Sequence, residues 1–67
     1  MTERQLKILK EDYFYITGIV RAKTVDKTSI AIKLGVSWPT VKKKVESLLN
    51  ESIIINGGDS YKINPDI

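Results

Sequence analysis

Cysteine and histidine are both absent from the sequence. Without cysteine there is no disulfide framework. Without either residue the usual zinc ligand sets, built from thiolates and imidazoles, are excluded. The same absences remove the commonest general base and the thiol nucleophile. Serine, lysine and carboxylates remain, but none falls in a pattern that pairs a nucleophile with a base, which argues against an enzyme. Long hydrophobic runs are missing as well. The longest are Tyr13-Phe14-Tyr15-Ile16 and Ile53-Ile54-Ile55, far short of the roughly 20 residues of a membrane span. Met1-Thr2-Glu3-Arg4-Gln5 lacks the apolar stretch of a secretion signal. Together these features predict a cytoplasmic protein that needs neither metal nor cofactor.

What is present suits one small domain. The chain has 67 residues, too few for two cores, and a domain of this size buries only about 60% of its unfolded surface. A partner chain or a further domain would add stability. Charged residues make up 28% of the sequence and are mixed in sign, with a net charge of +3. That balance is compatible with a polyanionic partner without establishing one.

Periodicity divides the chain into three helices and a hairpin. From Thr2 to Ala22, the residues Leu6, Leu9, Tyr13, Ile16 and Val20 recur at steps of three and four, which predicts one long helix. Thr2 suits its N-cap, and Gly18 is its weak point, where it is expected to kink or end. Ile8, Phe14 and Ile19 lie off that stripe; they are either extra core contacts or a dimer surface. Lys23-Thr24-Val25 is a β-favouring connection. Asp26 caps a second helix, Lys27 to Leu34, whose inward face is Ile30, Ala31 and Leu34. Gly35 suits a left-handed C-terminal turn, and Val36 can drop into the core. Ser37 is a new N-cap, and Pro39 sits in the first turn of a third helix, where its missing N–H costs nothing. That helix spans Trp38 to Asn50 with Val41, Val45, Leu48 and Leu49 inward. Ile53 to Asn56 and Ser60 to Asn64 read as strands joined by Asn56-Gly57-Gly58-Asp59. Tyr61 and Ile63 are expected to pack inward.

Two short helices joined by a tight glycine turn, with small Ala31 at the crossing, meet the physical requirements of a helix-turn-helix. A hairpin directly after the second of them makes it winged. The sequence from Leu6 to Ile63 resembles the winged helix-turn-helix superfamily of transcriptional regulators, through Ala31, Gly35 and Ser37-x-x-Thr40-Val41. It looks like the N-terminal reader of the ROK repressors where the wing runs into Tyr61-Lys62-Ile63-Asn64-Pro65-Asp66. Glu11-Asp12-Tyr13 is similar to the first helix of the metal-dependent repressors of the diphtheria-toxin-repressor type. The histidine and cysteine ligands of that branch are absent, so no metal site carries over.

The resemblance implies an α+β fold that binds double-stranded DNA, with the helix after Gly35 in the major groove and its N-terminal residues nearest the base edges. Candidate contacts are then Ser37, Trp38, Pro39, Thr40, Lys42, Lys43 and Ser47. Thr28 joins them at the start of the second helix, and Lys62 is the only basic residue in the hairpin. Helical phase sets Trp38 nearer the apolar side and predicts partial burial beside Val41 and Leu49. Lys42-Lys43-Lys44 spreads over a wide arc, so the three cannot share one phosphate. Lys44 stands where the superfamily places an apolar residue; either its stem runs along the core or the helix is rotated. A homodimer through the N-terminal helix is expected, because one module reads few base pairs. The alternative is a protein-interaction winged helix, whose mark would be Phe14, Ile19 and Trp38 exposed as one apolar patch.

Overall fold

Thr2 opens the first helix in the computed structural model, which describes residues 1–67. Its hydroxyl accepts the Gln5 N–H at 3.1 Å, and the Gln5 side chain accepts the Thr2 N–H at 2.9 Å, a capping box that satisfies two otherwise unpaired donors. Helix α1, Glu3–Glu11, is thereby fixed at its start. Gln5 also donates to the Glu51 carbonyl at 3.2 Å, and Arg4 donates to the Glu51 carboxylate at 2.6 Å. The Arg4 hydrogen bond holds that carboxyl below the usual carboxylate range.

The predicted single long helix is instead two. Helix α1 stops at Asp12, whose φ of −106° and ψ of 20° leave the helical region, and α2 runs from Tyr13 to Arg21. The break lies at Asp12, whose carboxylate accepts a hydrogen bond from Lys44 at 2.9 Å. It does not lie at Gly18, through which α2 continues. A Cβ on Gly18 would overlap the Leu34 side chain, so this glycine is a notch that lets the next helix approach. The inward stripe also differs from the expected one. Ile16 and Ile19 are buried and Leu9 and Val20 partly so, whereas Leu6 and Tyr13 are exposed.

Helix α3, Lys27–Leu34, starts at Asp26, whose carboxylate accepts the Thr28 N–H at 3.1 Å and the Ser29 hydroxyl at 2.9 Å. The preceding Lys23-Thr24-Val25 forms no strand; Lys23 takes a φ of 55° there. Gly35 ends α3 at φ 69°, ψ 30°. The Val36 N–H reaches the Ala31 carbonyl at 3.1 Å and the Gly35 N–H reaches that of Ile32 at 3.2 Å, the hydrogen-bond pair of a Schellman turn. Helix α4, Trp38–Asn50, follows immediately. It closes with the same pair of bonds, Ser52 N–H to the Leu49 carbonyl and Ile53 N–H to that of Leu48, with Ser52 at φ 59°. A non-glycine residue there is strained by about 1 kcal/mol; the fully buried Ile53 side chain sits directly after it.

Strands β1, Ile54–Asn56, and β2, Tyr61–Ile63, pair antiparallel with Ile54 opposite Ile63 and Asn56 opposite Tyr61. The hairpin packs β1 on α4 and β2 on α2. The core is Ile16, Ile19, Ile30, Ala31, Val41, Val45, Leu48, Ile53, Ile54 and Tyr61, with no buried polar residue among them. Two expected members lie outside it. Ile63 shares a face with Tyr61, but burial is confined to Ile54 and Tyr61, and Ile63 is exposed. Leu49 follows Leu48 by about 100° around the helix and comes out at the surface. The result is a small α+β domain of four helices and a two-stranded hairpin, a layout compatible with a winged helix.

Alanine favours a helix interior over glycine by about 1 kcal/mol, yet Gly18→Ala will give no such gain here, because Leu34 occupies the space. In a Leu34→Ala background the same change will stabilise. Urea denaturation of the four proteins measures the coupling, expected at about 1 kcal/mol or more; simple additivity would mean that the notch is not filled by Leu34.

Candidate nucleic-acid interface

The tight turn at Gly35 presents α4 with Val41, Val45 and Leu48 inward, which fixes what its other side shows. Pro39, Lys42, Lys43, Glu46 and Ser47 are all exposed. A shallow recess on that side is lined by Trp38, Pro39, Thr40, Lys42, Lys43 and Glu46. Five of the sequence-predicted contacts therefore meet on one surface. Ser37 is exposed at the helix start, but its hydroxyl does not cap the backbone. It bonds the Thr40 hydroxyl at 2.8 Å instead, and Thr40 is partly buried.

Trp38 differs from expectation. It is 45% exposed rather than tucked beside Val41. Residues one turn apart on a helix share a face, and Trp38 shares its face with exposed Lys42, whose ammonium lies 5.3 Å from the ring centroid. A cation over an indole face is attracted to the ring's negative π surface. The indole is thus held by its own helix and not by the core.

The three consecutive lysines are sorted by phase. Lys44 points back into the fold, bonded to Asp12 and 5.0 Å from the Tyr15 ring centroid. Its side chain is 34% exposed, the partial cover that a long stem carrying a charged head tolerates. Lys42 and Lys43 form no salt bridge and face solvent. The Asp12 partner was the feature that sequence reasoning missed. Its signal was available: Asp12 falls three residues after Leu9 and four before Ile16, on the inward phase of its helix, just as Lys44 falls between Val41 and Leu48 on α4.

The remaining candidates stand apart. Thr28 is exposed at the start of α3, but its N–H is taken by Asp26, which leaves only its hydroxyl for a ligand. Lys62 is exposed on the outer side of the hairpin beside Ile55, and its stem lies against Gly57. The hairpin tip, Gly57 to Ser60, carries only the charge of Asp59. On α2, Phe14 is 57% exposed and Tyr13 64%, while Ile19 is fully buried. The apolar patch of Phe14, Ile19 and Trp38 that would mark a protein-docking subunit is therefore incomplete, because Ile19 is buried. No group of potential metal ligands is present, and no helix is long and apolar enough to cross a membrane. No family model, curated protein or solved structure matches the chain.

Lys44→Met leaves the partly buried Asp12 charge without its partner and will lower stability by about 1 kcal/mol. Lys42→Met, on the solvent side, will stay within about 0.5 kcal/mol of the parent. Urea midpoints followed by far-ultraviolet circular dichroism compare the two; equal values would show that Lys44 is no more engaged than Lys42.

Proposed function

We propose that the chain is a winged helix-turn-helix domain that binds double-stranded DNA sequence-specifically, as a transcriptional regulator or the reading head of one, with α4 in the major groove. The observation that carries this reading is the solvent side of α4: Lys42 and Lys43, free of carboxylate partners, beside exposed Trp38, Pro39 and Ser47 on a helix set out by the Gly35 turn. Lysine ammonium groups on such a helix meet phosphates, and polar side chains near its start meet base edges. The Ser37 and Thr40 hydroxyls lie at that start, and Thr28 is placed to meet a phosphate through its hydroxyl. The hairpin contributes little charge, Lys62 being its only cation, so contact with the duplex is concentrated on α4.

One such helix covers few base pairs, and the reading includes a homodimer that doubles the site. Tyr13 and Phe14 on α2 are the exposed aromatic pair on the N-terminal helices, and they supply its contact.

Fluorescence anisotropy with labelled duplex across a salt series tests the reading. Binding will weaken steeply with salt, as counterions are released from the phosphates. Lys42→Ala and Lys43→Ala will each lower the slope of log K against log salt by about 1. Lys44→Met will leave that slope unchanged. Binding that ignores salt, or none at low salt, defeats the proposal.

Sedimentation equilibrium tests the pairing separately. The parent chain is expected to sediment as a dimer at high concentration, and Phe14→Glu as a monomer. A parent chain that remains monomeric removes the dimer from the reading without touching the duplex contact.

A further inference from the structure

The exposed side of α4 is not uniform. Beyond its first turn it carries Lys42, Lys43, Glu46 and Ser47; at the first turn itself it carries Trp38 and Pro39. Pro39 has no N–H. The nearest hydroxyls, Ser37 and Thr40, are bonded to one another at 2.8 Å. The end of the helix closest to the bases in the proposed binding mode is therefore dominated by an indole and a pyrrolidine ring. The largest side chain of the protein stands there outside the core, with Lys42 over its ring. That contact orients the indole before any ligand arrives, which reduces the ordering cost of binding.

The recess between these groups is ill-suited to a phosphate. Glu46 lines it together with Lys42 and Lys43, and a carboxylate repels a phosphate while accepting hydrogen bonds from base amino groups. Only one apolar group projects from the base edges into the major groove of DNA, the C5-methyl of thymine.

We propose that Trp38 and Pro39 form a specificity contact for the C5-methyl group of thymine, an inference that rests on the duplex-binding reading above. Of the charged groups at the recess, an ammonium of Lys42 or Lys43 suits the adjacent O4, an acceptor, while Glu46 suits the N4 amino group of 5-methylcytosine, which shares the methyl; two donors against one acceptor favour thymine.

Two pools of random-sequence duplex, one containing thymine and one with deoxyuridine in its place, provide the test. The thymine pool will yield an enriched site. Within that site, replacing the contacted thymine by deoxyuridine will weaken binding about fourfold, the factor for one buried methyl-sized group. Trp38→Ala, its fold checked by circular dichroism, will bind the thymine duplex more weakly and lose the distinction from deoxyuridine while keeping its salt dependence. Salt-dependent binding that is equal for thymine and deoxyuridine, or a distinction that survives Trp38→Ala, overturns the methyl contact and leaves duplex binding standing. Equal binding of 5-methylcytosine and thymine at that position overturns the choice of thymine. No binding to either pool overturns both proposals.

Discussion

Lys44 and Asp12 meet at 2.9 Å between α4 and the junction of the first two helices. Each occupies an inward position that its helix would otherwise fill with an apolar side chain. An ion pair taken partly out of water must offset the hydration both charges give up, and it does so only with close geometry. Here the ammonium has a second favourable neighbour in the Tyr15 ring. The pair joins two parts of the fold. On one side it lies at the end of α1, on the same inward stripe that carries Leu9, Ile16 and Ile19 toward the core. On the other it adds to the inward anchoring of α4 by buried Val41, Val45 and Leu48, while Lys42, Lys43 and Trp38 emerge at the surface.

The second constraint is how α3 meets its neighbours. Leu34 seats into the space left by Gly18 on α2, and one residue later Gly35 turns the chain into α4. Nothing lies near Gly35 that a side chain would strike; its glycine is required by the left-handed backbone alone. The two glycines therefore serve different ends: one admits a neighbour, the other permits a turn. Between them they position the helix that carries the candidate interface.

Much of this was legible in the residues. Lys27–Leu34 and Trp38–Asn50 follow from Asp26, Gly35, Ser37 and Pro39, whose local chemistry leaves few alternatives at a helix end, and those bounds match the structure. The partner of Asp12 could not be named from periodicity, which registers apolar spacing and is blind to a charge whose partner lies 32 residues away. The exposure of Trp38 was hidden for a related reason. Helical phase places a residue around an axis but does not tell whether anything covers that end of the helix. Ile63 and Leu49 failed similarly: pattern gives the direction of a side chain, whereas burial depends on what packs against it. The outward direction of Lys42 and Lys43 followed from their phase relative to Val41 and Val45.

Trp38, the only tryptophan of the chain, is held by Lys42 at the surface while the core is aliphatic apart from Tyr61. Its emission consequently samples solvent and the nearby cation in the native state, and unfolding changes its surroundings far less than it would those of an interior indole. Intrinsic fluorescence is thus a poor gauge of whether this protein is folded and a sensitive gauge of whatever comes to rest against α4. A titration can be read from the unlabelled chain itself.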